Sequence, residues 1–197
     1  MYSTVMLNTK KSKLYQVIKD LLYLLILSKK SIIKLSKEDY LVQTILLFII
    51  VYIVWSIVSI LYFKENISNA TLHSILEGII LGPLSPLLFA IIFYGINLLF
   101  KTMPTFKNIL QLTTSMEIIV NVFFTPIWFL SFLVLPTNEI TIWLGRVVGI
   151  TQIIWEFYVL KYFGEVITIN NKKKSTIISI ITLSLYAIIN IPMKWYV

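Results

Sequence analysis

No Asp, Glu, Lys or Arg interrupts the chain between Tyr40 and Phe63. That apolar run exceeds the ~20 residues a helix needs to cross a bilayer core. In lipid every backbone N–H and C=O must be satisfied within the protein, so a run of this kind commits to a helix. The rest of the chain repeats the pattern. Apolar segments follow at about Ser74–Phe100, Thr113–Leu135, Ile140–Phe163 and Thr176–Trp195, separated by short polar connections. Only 13% of residues are charged and 58% are hydrophobic, against roughly 25% and 45–50% in soluble domains. The expected fold is all-α: a polytopic bundle of five transmembrane helices, residues 40–197, preceded by a basic arm, residues 1–39.

The arm holds eight lysines. Its central piece, Leu14–Leu27, has helical character but is too short and too charged to span. It reads as an interfacial amphipathic helix on an anionic membrane face, or else as a cytoplasmic helix packed on the bundle. A cleavable signal peptide is not expected, because Lys29, Lys30 and Lys34 follow the first apolar run where small residues would be needed. Lysine and arginine distribution sets orientation. The arm, the Lys101–Lys107 connection and Lys172–Lys174 are basic; the Lys64 and Pro136 connections are not. Five spans satisfy this alternation, with the N-terminus cytoplasmic and the C-terminus outside. Abundant Ile, Lys and Asn fit an AT-rich bacterial genome, hence an inner (plasma) membrane location.

Several residues stand out within the spans. Pro83 and Pro86 interrupt span 2 and Pro126 interrupts span 3. Gly78 and Gly82, and likewise Gly145 and Gly149, place two glycines on one helix face, a spacing that admits close helix approach. Glu77 and Arg146 flank the first glycine of each pair at similar expected depth, which predicts that spans 2 and 4 pack together and pair these charges. The alternative is that each side chain snorkels outward. Glu117 and Glu156 fall towards the inner leaflet, with Gln152 one turn from Glu156 on the same face. They would form a polar vestibule for an ion, headgroup or partner, or pair with Lys101, Lys107 and Lys161 at the boundary.

Catalytic chemistry finds no foothold. There is no Cys and a single His73, which excludes thiolate chemistry and histidine metal clusters. H-E-x-x-H and Walker motifs are absent. The expectation is a non-enzyme with no cofactor, no metal and no nucleic-acid partner. Its partners would be the bilayer and either another membrane protein or further copies of the chain.

Three stretches together resemble the Yip1 family of small multi-span membrane proteins, which has many bacterial members. Gly82-Pro83 is similar to the Gly-Pro that opens a span in that family. INLLFKTMPTFKNILQLTTSMEII (Ile96–Ile119) resembles its span, short T-F-K loop and following helix. IIWEFYVLKYFGEVITINNKKKSTIISIITL (Ile153–Leu183) is similar to its closing two spans. With the N-terminal arm, the resemblance covers about residues 14–190. It implies five spans and a non-enzymatic scaffold or accessory subunit of a membrane or export complex. The residues themselves also admit a small-molecule or ion transporter subunit using intramembrane carboxylates.

Overall fold

A computed structural model describes residues 2–37, 39–63, 82–102, 104–130, 139–168 and 171–195. They are almost entirely helical. Helix α1 spans Tyr2–Leu25, α2 Lys29–Lys37 and α3 Leu41–Phe63. A 3₁₀ turn, Gly82–Leu84, leads into α4, Ser85–Leu99. Helix α5, Phe106–Ile119, passes through a π turn, Val120–Phe124, into α6, Thr125–Phe129. Helices α7, Glu139–Ile167, and α8, Lys172–Trp195, complete the described chain. Among the described residues, three stretches are long and apolar enough to cross a membrane: Leu41–Val58, Phe106–Ile127 and Glu139–Ile167. Ser85–Leu99 is apolar but shorter.

The expected boundaries shift in instructive ways. The arm helix starts at Tyr2 and stops at Leu25, two residues before the expected Leu27. Leu27 there adopts a positive φ of 57°. Ser28 N–H donates to the Tyr23 carbonyl and Leu27 N–H to that of Leu24, each at 2.9 Å. This pair of bonds ends a helix by the Schellman pattern, with leucine where glycine is usual. Ahead of the third apolar segment, Phe106–Leu112 could extend its helix or lie at the interface; it extends the helix, which starts at Phe106 with Thr105 capping it by accepting from Asn108 N–H. Pro86 sits in the first turn of α4. Its missing N–H costs nothing there; the part of the expected span before Gly82 lies outside the described residues.

Helix α5 is the centre of the assembly. Its buried Ile109, Leu112, Met116 and Ile119 join Phe89 and Phe93 of α4, Trp155, Val159, Leu160 and Phe163 of α7, and Ile178 of α8 in one apolar core. Thr114 and Ser115 return their hydroxyls to the carbonyls of Leu110 and Gln111, so this helix buries small polar side chains without leaving them unpaired. Helix α3 behaves oppositely. Only 11% of its apolar window is buried, and Val42, Leu46, Ile49, Ile50, Ile53 and Ile57 face outward. Such an outer surface is suited to lipid and costly in water.

The arm is bolted to the bundle by polar contacts. Fully buried Gln111 accepts from Tyr40 N–H at 3.0 Å and donates to the Leu35 carbonyl at 2.8 Å. One amide thereby serves the end of α2 and the start of α3, both of which have orphan backbone groups. Trp155 Nε1 donates to the Leu25 carbonyl at the end of α1. Lys29 pairs with buried Glu165 at 3.2 Å and lies over the Tyr162 ring. Lys107 pairs with Asp39 at 2.8 Å.

Candidate functional site

Two hydroxyls from separate helices converge on the Glu117 carboxylate. Ser85, the first residue of α4, donates its hydroxyl to Glu117 Oε1 at 2.6 Å. Tyr186 of α8 donates to the same oxygen at 3.1 Å, and its oxygen is 2.6 Å from Ser85 Oγ. Three helices therefore share one carboxylate oxygen. The Tyr186 ring stacks on Phe89 with centroids 4.2 Å apart, which fixes the phenol's direction from its apolar side. On α7, Gln152 Nε2 donates to Glu156 Oε1 at 2.8 Å. Glu156 is buried.

Backbone irregularity frames this centre. The π turn closes with Thr125 N–H on the Val120 carbonyl. The next bond of that ladder would run from residue 126 to the Asn121 carbonyl, but Pro126 has no N–H. Trp55 of α3 supplies the missing donor, its Nε1 lying 2.5 Å from the Asn121 carbonyl oxygen. Asn121 in turn donates its side-chain amide to the Glu117 carbonyl. Thr113 of α5 donates to the Pro86 carbonyl at 3.0 Å, holding Ser85 beside Glu117. The helix is widened where it carries its acid, and each freed carbonyl named here has found a side-chain donor.

The expected site residues separate into groups. Glu117 meets Ser85 and Tyr186, whereas Gln152 and Glu156 pair with each other on α7. Lys107 pairs with Asp39, and Lys161 lies near the Tyr158 ring. By the helical rise of ~1.5 Å per residue, Glu117 lies about 16 Å along its helix from Phe106, well removed from that end. Arg146 is exposed and packs over the Trp143 ring at 5.6 Å. Glu77 and Gly78 lie outside the described residues, and with them the expected Glu77–Arg146 pair. Gly145 is buried, whereas nothing lies within 4 Å of a Cβ placed on Gly149. Gly82 is a point of close approach: a Cβ there would collide with the Tyr52 phenol of α3. Pro83 lies in the 3₁₀ turn that precedes α4.

Ser85 and Tyr186 escaped sequence reasoning. A lone hydroxyl in an apolar run carries no periodic signal, and Tyr186, in the middle of the expected fifth span, passes as one more aromatic in an aromatic-rich chain. The Pro-flanked Ser85 was the available hint. Among the described residues no group of three or more His, Asp or Glu side chains is arranged to hold a metal ion. No family model, curated protein or solved structure matches the chain.

Proposed function

We propose that the chain is a five-span inner-membrane protein, with its N-terminus in the cytoplasm, and that Glu117 is the ion-binding group of a non-enzymatic transport subunit. The observation that carries this reading is the convergence of Ser85 and Tyr186 on one oxygen of Glu117. Ionisable groups inside a membrane bundle are costly, and they mark ion or proton pathways by default. Carboxylate and hydroxyl oxygens suit a proton or a small hard cation. A π turn next to the acid fits as well, since such turns gather at functional sites. The test is ion flux in proteoliposomes. Glu117→Gln keeps a carbonyl oxygen for both hydroxyls but removes the charge. It should reduce flux of H⁺, Na⁺ or K⁺ to the level of empty liposomes while the protein stays folded. Wild-type flux at that empty-liposome level for all three ions refutes the reading.

One observation favours the second reading, a Yip1-like scaffold or accessory subunit. Glu117 is satisfied by hydroxyls of its own chain, as a purely structural acid would be. A scaffold tolerates Glu117→Gln and Glu156→Gln and co-purifies with a membrane-protein partner in unchanged yield.

A further inference from the structure

The arm carries a second polar concavity, remote in sequence from the carboxylate centre. Gln16, Lys19, Asp20 and Tyr23 of α1 face Ser28, Lys30, Ser31 and Lys34 across the α1–α2 turn and enclose about 340 Å³. Three lysines and one carboxylate line it. The carboxylate is already engaged: Asp20 is buried, accepts from Gln16 Nε2 at 3.1 and 3.2 Å, and lies 3.8 Å from Lys34 Nζ. Lys19 and Lys30 have no anionic partner among the described residues, and both are exposed. The cavity therefore keeps two uncompensated ammonium groups beside a phenol and two serines.

The opposite side of α1 has the reverse character. Ile18, Leu21 and Leu22 line an apolar groove with Leu47 and Val51 of α3 and Phe123 of the π turn, among others. At 100° per residue, positions 16, 19, 20 and 23 centre about 155° away from 18, 21 and 22, with Lys19 at the edge of the polar face nearest Leu22. One helix thus shows ammonium groups on one face and hydrocarbon on the other, the arrangement of a helix lying at the headgroup boundary.

We infer that the α1–α2 cavity binds the phosphate of an anionic lipid headgroup, with Lys19 and Lys30 as its charge partners. A phosphate diester brings one negative charge and acceptor oxygens for ammonium and hydroxyl donors. Its volume and its place on an amphipathic helix fit a headgroup held at the membrane surface. This assignment does not depend on whether the carboxylate centre moves an ion.

The test uses the full chain in nanodiscs of phosphatidylcholine with a minor fraction of phosphatidylglycerol, and reads bound phosphatidylglycerol by native mass spectrometry. Lys19→Gln with Lys30→Gln should weaken its retention about 25-fold, roughly fivefold per lysine at an anionic surface. Lys172→Gln with Lys173→Gln removes the same charge from another loop and should leave retention unchanged. Equal loss in both double variants, or no loss in the first, overturns the site. A further arm adds inorganic phosphate to pure phosphatidylcholine nanodiscs. A thermal shift there that depends on Lys19 and Lys30 and matches the lipid's would overturn the lipid assignment in favour of soluble phosphate. Absence of that shift supports the headgroup. Exposed lysines carry little of the fold, and equal unfolding midpoints in neutral discs verify that.

Discussion

At the scale of single residues, the chain relies on a few buried polar side chains that each serve two backbone groups. Gln111 is the clearest case. Gln111→Leu leaves the Leu35 carbonyl and the Tyr40 N–H without this partner. An unmet buried group costs about 1–3 kcal/mol, so the variant should lose roughly 2–3 kcal/mol of unfolding free energy in detergent titrations. Unchanged stability would mean that another group caps these ends. Asp39 allows a test by pH. The hydrogen bond from Lys107 holds its carboxyl below the ordinary carboxylate range, against a smaller opposing effect of desolvation. A lowered folded pKa contributes stability that is fully present above the unfolded value near 3.8 and is lost as pH falls through the folded one. Thermal midpoints of wild type and Lys107→Ala should therefore differ above about pH 5 and converge towards about pH 2. Glu117 and Glu156 were legible because charge inside an apolar run is conspicuous. Gln111 was not, because its value lies in two carbonyl and amide groups 71 and 76 residues away.

At the scale of elements, hydropathy made the described apolar helices legible and several of their ends to within a residue, α3 at Leu41 and Phe63, α4 at Leu99 and α8 at Trp195. The ends of the arm helix and the start of α5 were less so. Span edges depend on caps such as Thr105 and on positive-φ residues that apolar patterning does not report. Lys101 has φ 52°; its N–H donates to the Leu98 carbonyl and that of Thr102 to the Asn97 carbonyl. This is the same Schellman ending as at Leu27. Left-handed backbone costs a non-glycine residue about 1 kcal/mol. Lys101→Gly should raise stability by up to about 1 kcal/mol, less any added freedom in the unfolded chain. A fall in stability would show that the lysine side chain matters more than the backbone. Glycine packing was anticipated between spans 2 and 4, at Gly78 and Gly82 of one and Gly145 and Gly149 of the other, and Gly78 lies outside the described residues. The close approach that the structure shows between α7 and α8 is at Gly164, where a Cβ would come within 2.5 Å of Ser175 Oγ. That hydroxyl is engaged by the Lys161 carbonyl and cannot swing away freely. Gly164→Leu should therefore destabilise by about 1–3 kcal/mol, the usual range for overpacking, read as a lower melting temperature. Gly149→Leu should have little effect.

For the whole molecule, three basic stretches that are distant in sequence come to one end of the bundle. Lys107 reaches Asp39 at the end of the arm, and Lys29 reaches Glu165, in the last turn of α7 before the Lys172–Lys174 connection. Charge alternation along the sequence predicts this sharing of a side, and the ion pairs supply a physical link for it. The chain has no cysteine, so single cysteines can be introduced without background. Lys30→Cys and Lys173→Cys should react with a membrane-impermeant maleimide in inverted vesicles and be protected in intact cells. Opposite accessibility of the two would break the shared-side arrangement. Gln111 has one more consequence, which concerns time. Leu35 leaves the ribosome 76 residues before the side chain that secures it. At ~5–20 residues per second, synthesis takes about 4–15 s to reach that partner. During this interval the arm cannot take its final seat, so anything that must engage it unlocked has its opportunity before the third apolar segment is made.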